Sequence, residues 1–116
     1  MFNNLIYALK RKNNRAMEKN DITIEQLNNM LINGAVLIDV RSPQEYNEGH
    51  IEGSILIPGY ELRARVNEIT TYKKKIIIVY CSTGSRSKKA QKILNRLGFE
   101  YVYNLYNGID NVSVKF

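Results

Sequence analysis

The chain has 116 residues, 44% of them apolar, enough for one compact domain with a core and too few for two of ordinary size. Lys and Arg number 17 against 11 Asp and Glu, for a formal charge of +6 and a pI near 9.5, which suits an anionic small molecule, a nucleic acid or an acidic protein surface and selects none. One cysteine and one histidine exclude an internal disulfide and a Cys/His zinc set, so no metal is expected and a reducing cytoplasm is the natural compartment.

The opening stretch, MFNNLIYALKRKNNRAMEKN, puts its apolar residues before its charges, the reverse of a secretory signal. Leu5, Ile6 and Leu9 could share one face of a short helix. The plainer expectation is a mobile basic arm over residues 1–20, with the folded domain at 21–116. No apolar run approaches the ~20 residues of a membrane-spanning helix.

From there helical and extended signals alternate. TIEQLNNMLING opens on Thr23 with Gln26 three residues later, a capping-box pattern, and closes on Gly34. AVLIDV is long enough for a buried strand and too short for a helix. Ser42, Pro43 and Glu45 then supply an N-cap, a first helical residue and a box partner. SILIP reads as a strand and GYELRARVNEI as a short helix. KIIIVY is apolar on successive residues, as a central parallel strand covered on both faces should be.

Ala90, Ile93, Leu94 and Leu97 fall at i, i+3, i+4 and i+7, which predicts an amphipathic helix over 87–97, stopped by Gly98. YVYNLYNG supplies a last strand and turn. Strands alternating with helices over one domain predict an open parallel α/β sheet.

Ligands of such sheets bind beyond the carboxyl ends of the strands, and the single thiol, Cys81, ends the KIIIVY strand. The loop after it, Ser82, Thr83, Gly84, Ser85, Arg86 and Ser87, carries no bulky apolar side chain. Such a loop can turn its amide N–H groups inward around one atom, and the following helix adds the positive end of its dipole. Both favour a thiolate. Arg86, Lys88 and Lys89 occupy the loop end and the first helical turn, where the dipole disfavours cations. Breaking a local rule beside a nucleophile points to function more than to a cysteine packed as a small hydrophobe, the plain alternative.

Two separated stretches, LIDVRSPQEYNEGHIEGSILIP at 37–58 and VYCSTGSRSKKAQKILNRLGF at 79–99, resemble the rhodanese family of sulfurtransferases. The likeness spans about residues 22–110. It implies a five-stranded parallel sheet with helices on both faces. It also implies a cysteine, Cys81 here, that takes up sulfane sulfur as a persulfide and passes it on, with residues 82–87 as its cradle. No cofactor is implied. The expected partners are an anionic small-molecule sulfur donor, drawn in by Arg86, Lys88 and Lys89, and a thiol, protein or cyanide acceptor; neither a nucleic acid nor a membrane span is expected.

Protein tyrosine phosphatases, and the dual-specificity phosphatases whose fold resembles rhodanese, use C-x5-R to wrap a phosphoryl group; an arsenate reductase on the same fold stands with them as an oxyanion enzyme. Arg86 here gives C-x4-R, a shorter ring that favours one terminal sulfur and leaves the oxyanion enzymes as an alternative. A persulfide carrier with little turnover of its own is a second alternative, since it needs the same loop. Asp39, Arg41 and Glu45 of the first stretch are expected to support the loop, Asp39 by pairing with Arg86 and Arg41 by pairing with Glu45. His50 is expected to be structural rather than a general base. The family's ending of Gly-Gly and an aromatic residue is replaced by Asn107, Gly108 and Val112, which alters the packing expected beside the site.

Overall fold

The computed structural model describes residues 16–112; the arm at 1–15, with Leu5, Ile6 and Leu9, lies outside the described residues, as do 113–116. Five parallel strands, β1 (Asp21–Ile22), β2 (Val36–Asp39), β3 (Ile55–Leu56), β4 (Ile76–Tyr80) and β5 (Tyr101–Leu105), form one sheet in the order β1-β5-β4-β2-β3. Three α-helices connect them: α1 (Ile24–Ile32), α2 (Pro43–Glu48) and α3 (Ser85–Arg96).

Both capping boxes form. Thr23 Oγ1 accepts from the Gln26 amide while Gln26 Oε1 accepts from the Thr23 amide, and Ser42 and Glu45 repeat the exchange with Pro43 at the first helical position. The chain therefore leaves β1 and β2 through defined helix starts.

β4 is central and covered on both sides. Ile77, Val79 and Cys81 join a cluster with Val40, Ile57, Leu62, Ala90 and Leu94 of the α3 face. Ile78 and Tyr80 alternate into the opposite cluster with Ile22, Leu27 and Leu105, beneath α1. A period of two on a strand buried on both faces explains the unbroken apolar run. Each fully buried Leu or Ile contributes about 1.5–3 kcal/mol.

Two features differ from expectation. The residues read as one helix, from Gly59 onward, form separate 3₁₀ turns at Gly59–Glu61, Val66–Glu68 and Thr70–Tyr72. Leu62 and Ile69 are buried at helical spacing, but Arg65 (φ −107°, ψ 10°) and Ile69 (φ −125°, ψ 9°) leave the α region and interrupt it. A segment this short does not repay helix nucleation, and single turns suffice to bury its anchors. β1 was not apparent in the sequence, because two residues carry no periodicity and are strand only by pairing with Asn104 and Leu105.

The connections set the site. From β2 the chain moves outward to β3, and from β4 it moves the opposite way to β5, so the switch in direction lies between the carboxyl ends of β2 and β4. Asp39, Val40 and Arg41 meet Tyr80 and Cys81 there, with the Val40 amide donating to the Tyr80 carbonyl at 3.0 Å.

Candidate active site around Cys81

Cys81 is fully buried at the first position after β4. Its Sγ accepts from the amides of Gly84 at 3.1 Å and Ser87 at 3.3 Å, and lies 3.3 Å from the Ser87 hydroxyl. Two amides converging on one sulfur is the nest expected of the loop. Gly84 has φ +103°, and a Cβ there would lie 3.4 Å from the Asn107 amide nitrogen, so both the turn and the close approach call for glycine. Thr83 and Ser85 are exposed on the outside of the loop, and Ser87 is buried beneath it.

Behind Ser87 runs a buried polar chain. Asn104 of β5 donates through Nδ2 to Asp21 Oδ1 at 3.0 Å, which turns its Oδ1 toward Ser87. The Ser87 hydroxyl donates to that oxygen and lies 3.2 Å from the Gly84 carbonyl. A hydroxyl has one proton, and both carbonyls can only accept.

The ion pairs are exchanged relative to expectation. Asp39 pairs with Arg41, not Arg86: its carboxylate accepts from the Arg41 amide at 2.9 Å, Nε at 3.0 Å and Nη2 at 2.7 Å. Asp39 is fully buried at the strand end, and Arg41, two positions along, folds back onto it while also reaching the Gly49 carbonyl at 2.7 Å. Glu45 pairs instead with Arg86 through two parallel bonds of 2.8 and 2.9 Å. The capping box fixes Glu45 at the start of α2, facing the thiol loop, where it also accepts from Ser82 Oγ at 3.0 Å and from Ser42 Oγ at 3.0 Å. The Arg86 guanidinium foremost holds the Glu45 carboxyl well below the ordinary carboxylate range, and Glu45 in turn raises the Arg86 pKa.

Lys88 is engaged as well, 3.0 Å from Glu18 and 3.2 Å from Asp21. Two of the three cations at the helix start are thus matched by carboxylates, which offsets the dipole penalty. Glu18 and Asn20, in the segment read as an arm, are tied to the domain; the Asn20 carbonyl accepts from the Asn104 amide at 2.9 Å.

The C-terminal segment closes the loop from behind. Amides of Ile109 and Asp110 donate to the carbonyls of Cys81 and Ser82, each at 2.9 Å. Those carbonyls are thereby engaged, and the amides of 84 and 87 are the ones that reach sulfur. A Cβ on Gly108 would lie 2.3 Å from the Ser82 carbonyl oxygen, at φ +71°. Asn107 takes the left-handed region at φ 64°, which asparagine tolerates, and Val112 packs on the α1-side cluster. The substituted ending therefore keeps this wall in place.

His50 stacks on Tyr46 with ring centroids 3.6 Å apart, and its Nδ1 lies 2.8 Å from the Tyr46 carbonyl. A carbonyl only accepts, so Nδ1 carries the proton of the neutral ring. Tyr80 binds the same turn: its hydroxyl accepts from the Ile51 amide at 3.0 Å and lies 3.3 Å from Ser54 Oγ. Among the described residues no three of His, Cys, Asp and Glu gather closely enough to hold a metal ion. Among the same residues no helix is long and apolar enough to cross a membrane.

Asn104, Asp21 and Tyr80 were not singled out from the sequence. The signal for Asn104 was present: an amide side chain inside the strand YVYNL must find a partner if buried.

Comparison with known proteins agrees with this architecture. The family model described as "Rhodanese-like domain" matches residues 23–115. Thiosulfate sulfurtransferase PspE of Escherichia coli is 37% identical over 77 residues, covering 66% of this chain and 73% of that protein. The tRNA uridine(34) hydroxylase of Buchnera aphidicola subsp. Baizongia pistaciae is 34% identical over 109 residues, covering 82% of this chain but only 35% of the hydroxylase. The crystal structure of a rhodanese-like domain protein from Staphylococcus aureus superposes with a TM-score of 0.68 at 29% identity, covering 76% of this chain and 85% of that one. With the matched residues running from the cap of α1 past the wall behind Cys81, the chain belongs to the rhodanese-like domain family.

Proposed function

We propose that the protein is a sulfurtransferase that takes sulfane sulfur from thiosulfate or a related anionic donor onto Cys81 and delivers it to a thiol or to cyanide. The observation that carries this reading is the convergence of the Gly84 and Ser87 amides on Sγ in a ring one residue too short for C-x5-R chemistry. The Cys81 thiolate attacks the outer sulfur of thiosulfate; a new S–S bond forms, the old one breaks, and sulfite leaves with its electron pair. An acceptor thiolate or cyanide then attacks the outer sulfur of the Cys81 persulfide, forming a persulfide or thiocyanate and returning the thiolate. The likeness to PspE supports the choice of thiosulfate. Residues 82–87 bind and shield the persulfide; Glu45 holds the loop through Ser82 and Arg86, while Asp39 and Arg41 support the neighbouring turn at Gly49. Such a thiol functions in a reducing compartment, for which the cytoplasm is the natural choice.

The oxyanion-enzyme alternative is disfavoured because Arg86 is turned onto Glu45, where a bidentate carboxylate occupies the guanidinium face that a phosphoryl group would need. A persulfide carrier retains support from one observation: Arg86 and Lys88 are both matched by carboxylates, which weakens the pull on a free anion. Intact-mass spectrometry after thiosulfate treatment tests the main reading. A single addition of roughly 32 Da, removed by cyanide and absent from Cys81→Ser, is expected. No adduct from thiosulfate, with an adduct from a persulfide-bearing protein, would transfer the assignment to the carrier.

A further inference from the structure

Asn104 of β5 is fully buried and reaches the thiol loop through the Ser87 hydroxyl. That hydroxyl also stands 3.3 Å from Cys81 Sγ and 3.2 Å from the Gly84 carbonyl, so one oxygen joins the sulfur, the loop turn and the strand. The direction of the Asn104 amide is imposed from its other side. Its Nδ2 donates to Asp21 Oδ1 at 3.0 Å; turned over, its carbonyl would face a carboxylate, acceptor against acceptor. Asp21 is itself held by the Lys88 ammonium at 3.2 Å and by the Glu18 amide at 2.8 Å. The Asp21 carboxylate thus decides that Asn104 offers Ser87 an oxygen. The helix is fastened separately: Gln91 Nε2 donates to the Val102 carbonyl at 2.9 Å and to the Asn20 carbonyl at 3.3 Å, which seats α3 on β5 without Asn104.

We infer that Asn104, oriented by Asp21, is a positioning residue for sulfur transfer: it draws the Ser87 hydroxyl proton away from Cys81 and pins the turn whose amides bind the sulfur. The inference rests on the sulfurtransferase reading and adds to it two residues, Asn104 and Asp21, that act through Ser87. Losing Asn104 Oδ1 has two effects, both of which slow the reaction. The freed hydroxyl turns its proton onto the Cys81 thiolate, and a charge-assisted hydrogen bond to a nucleophile weakens as the nucleophile attacks. The turn also loses its tie to β5, and a displacement of about 1 Å at a reacting group costs on the order of a hundredfold in rate.

The test is a double-mutant cycle on the single-turnover rate of persulfide formation against thiosulfate concentration, read by intact mass, with a melting temperature for every variant. Asn104→Ala is expected to lower the maximal rate about tenfold and to leave the half-saturating concentration within about twofold, because a buried side chain does not meet the donor. In a Ser87→Ala background no hydroxyl remains to redirect, and the same change should cost less than about twofold. Asp21→Asn keeps the shape and removes the charge that orients the amide. It should lower the maximal rate severalfold with the same dependence on Ser87, and it carries the cycle where Asn104→Ala does not fold. Gln91→Met loosens α3 from β5 away from Ser87, and should lower the melting temperature while the maximal rate stays within about twofold. An unchanged rate in both Asn104→Ala and Asp21→Asn overturns the positioning role and leaves sulfur transfer standing. So do losses that add in full on the Ser87→Ala background, or a rate loss in Gln91→Met as large as that in Asn104→Ala. A wild-type protein that takes sulfur from no donor overturns the sulfurtransferase reading itself, and the positioning role falls with it.

Discussion

Arg86 of α3 and Glu45 of α2 clasp each other across the mouth of the thiol loop through parallel bonds of 2.8 and 2.9 Å. The pair is partly exposed, at 45% and 30%, so screening limits its stability contribution to about 1 kcal/mol or less. Its effect is expected on geometry: Glu45→Gln should slow persulfide formation about tenfold with little change in melting temperature. The sign of the pH dependence follows from the depressed Glu45 carboxyl. Its contribution is fully present above the unfolded carboxylate value of about 4.3 and is lost as pH falls toward the lower folded value. Melting temperatures of wild type and Glu45→Gln, taken from neutral pH downward, should keep a constant gap until about that pH and then converge.

Asp39→Asn should be the costliest conservative change near the site. It leaves the Arg41 guanidinium, 7% exposed, without its buried carboxylate. Breaking such a pair typically costs about 3–5 kcal/mol. Urea unfolding should show a lower midpoint with an unchanged slope. A loss near zero would mean that water reaches Arg41.

Tyr80 should ionise well above the ordinary tyrosine range. Burial, foremost, pushes its phenol up to about 12. The folded state therefore keeps a proton that the unfolded state releases above about 10, so stability is full below that pH and declines as pH rises toward 12. Difference absorbance of tyrosinate between wild type and Tyr80→Phe should titrate at that upper end, or appear abruptly with unfolding. At neutral pH the same variant strips the Ile51 amide of its acceptor and should cost about 1–3 kcal/mol.

Gly108→Ala should damage the thiol loop without touching it in sequence. The added Cβ would sit 2.3 Å from the Ser82 carbonyl oxygen at a backbone angle that L side chains rarely adopt, so the loop or the 106–110 turn must move. A stability loss of about 2 kcal/mol or more is expected, with a larger fractional loss of persulfide formation. Gly34→Ala, also at positive φ but with nothing within 4 Å of the new Cβ, should show only strain.

Local rules made much of this legible. Thr23 with Gln26, and Ser42 with Glu45, announced two helix starts by spacing alone, and the KIIIVY run announced the central strand. Cys81 and its loop were legible because the strand end, glycine and helix start are contiguous. What escaped was set by distance in the chain. Asp39 and Glu45 were given each other's partners because spacing cannot tell which carboxylate is buried beside Arg41 and which faces Arg86. Asn104 and Asp21 join Ser87 only once β1 lies against β5. The turns from Gly59 onward carried a helical apolar period that the backbone did not follow.

That edge pairing also orders the protein's assembly. Asp21 and Asn104 are hydrogen-bonded across 83 residues, so β1 stays unpaired until the stretch that separates them has been synthesised. Parallel pairings this far apart pay loop closure before any contact repays it, and they form slowly. The cysteine, its loop and α3 are synthesised before the strand and turn that brace them. A nascent chain ending short of residue 110 would carry the nucleophile without the amides of Ile109 and Asp110 at its back. The order of translation thus leaves the surroundings of Cys81 incomplete until residue 110 has been added.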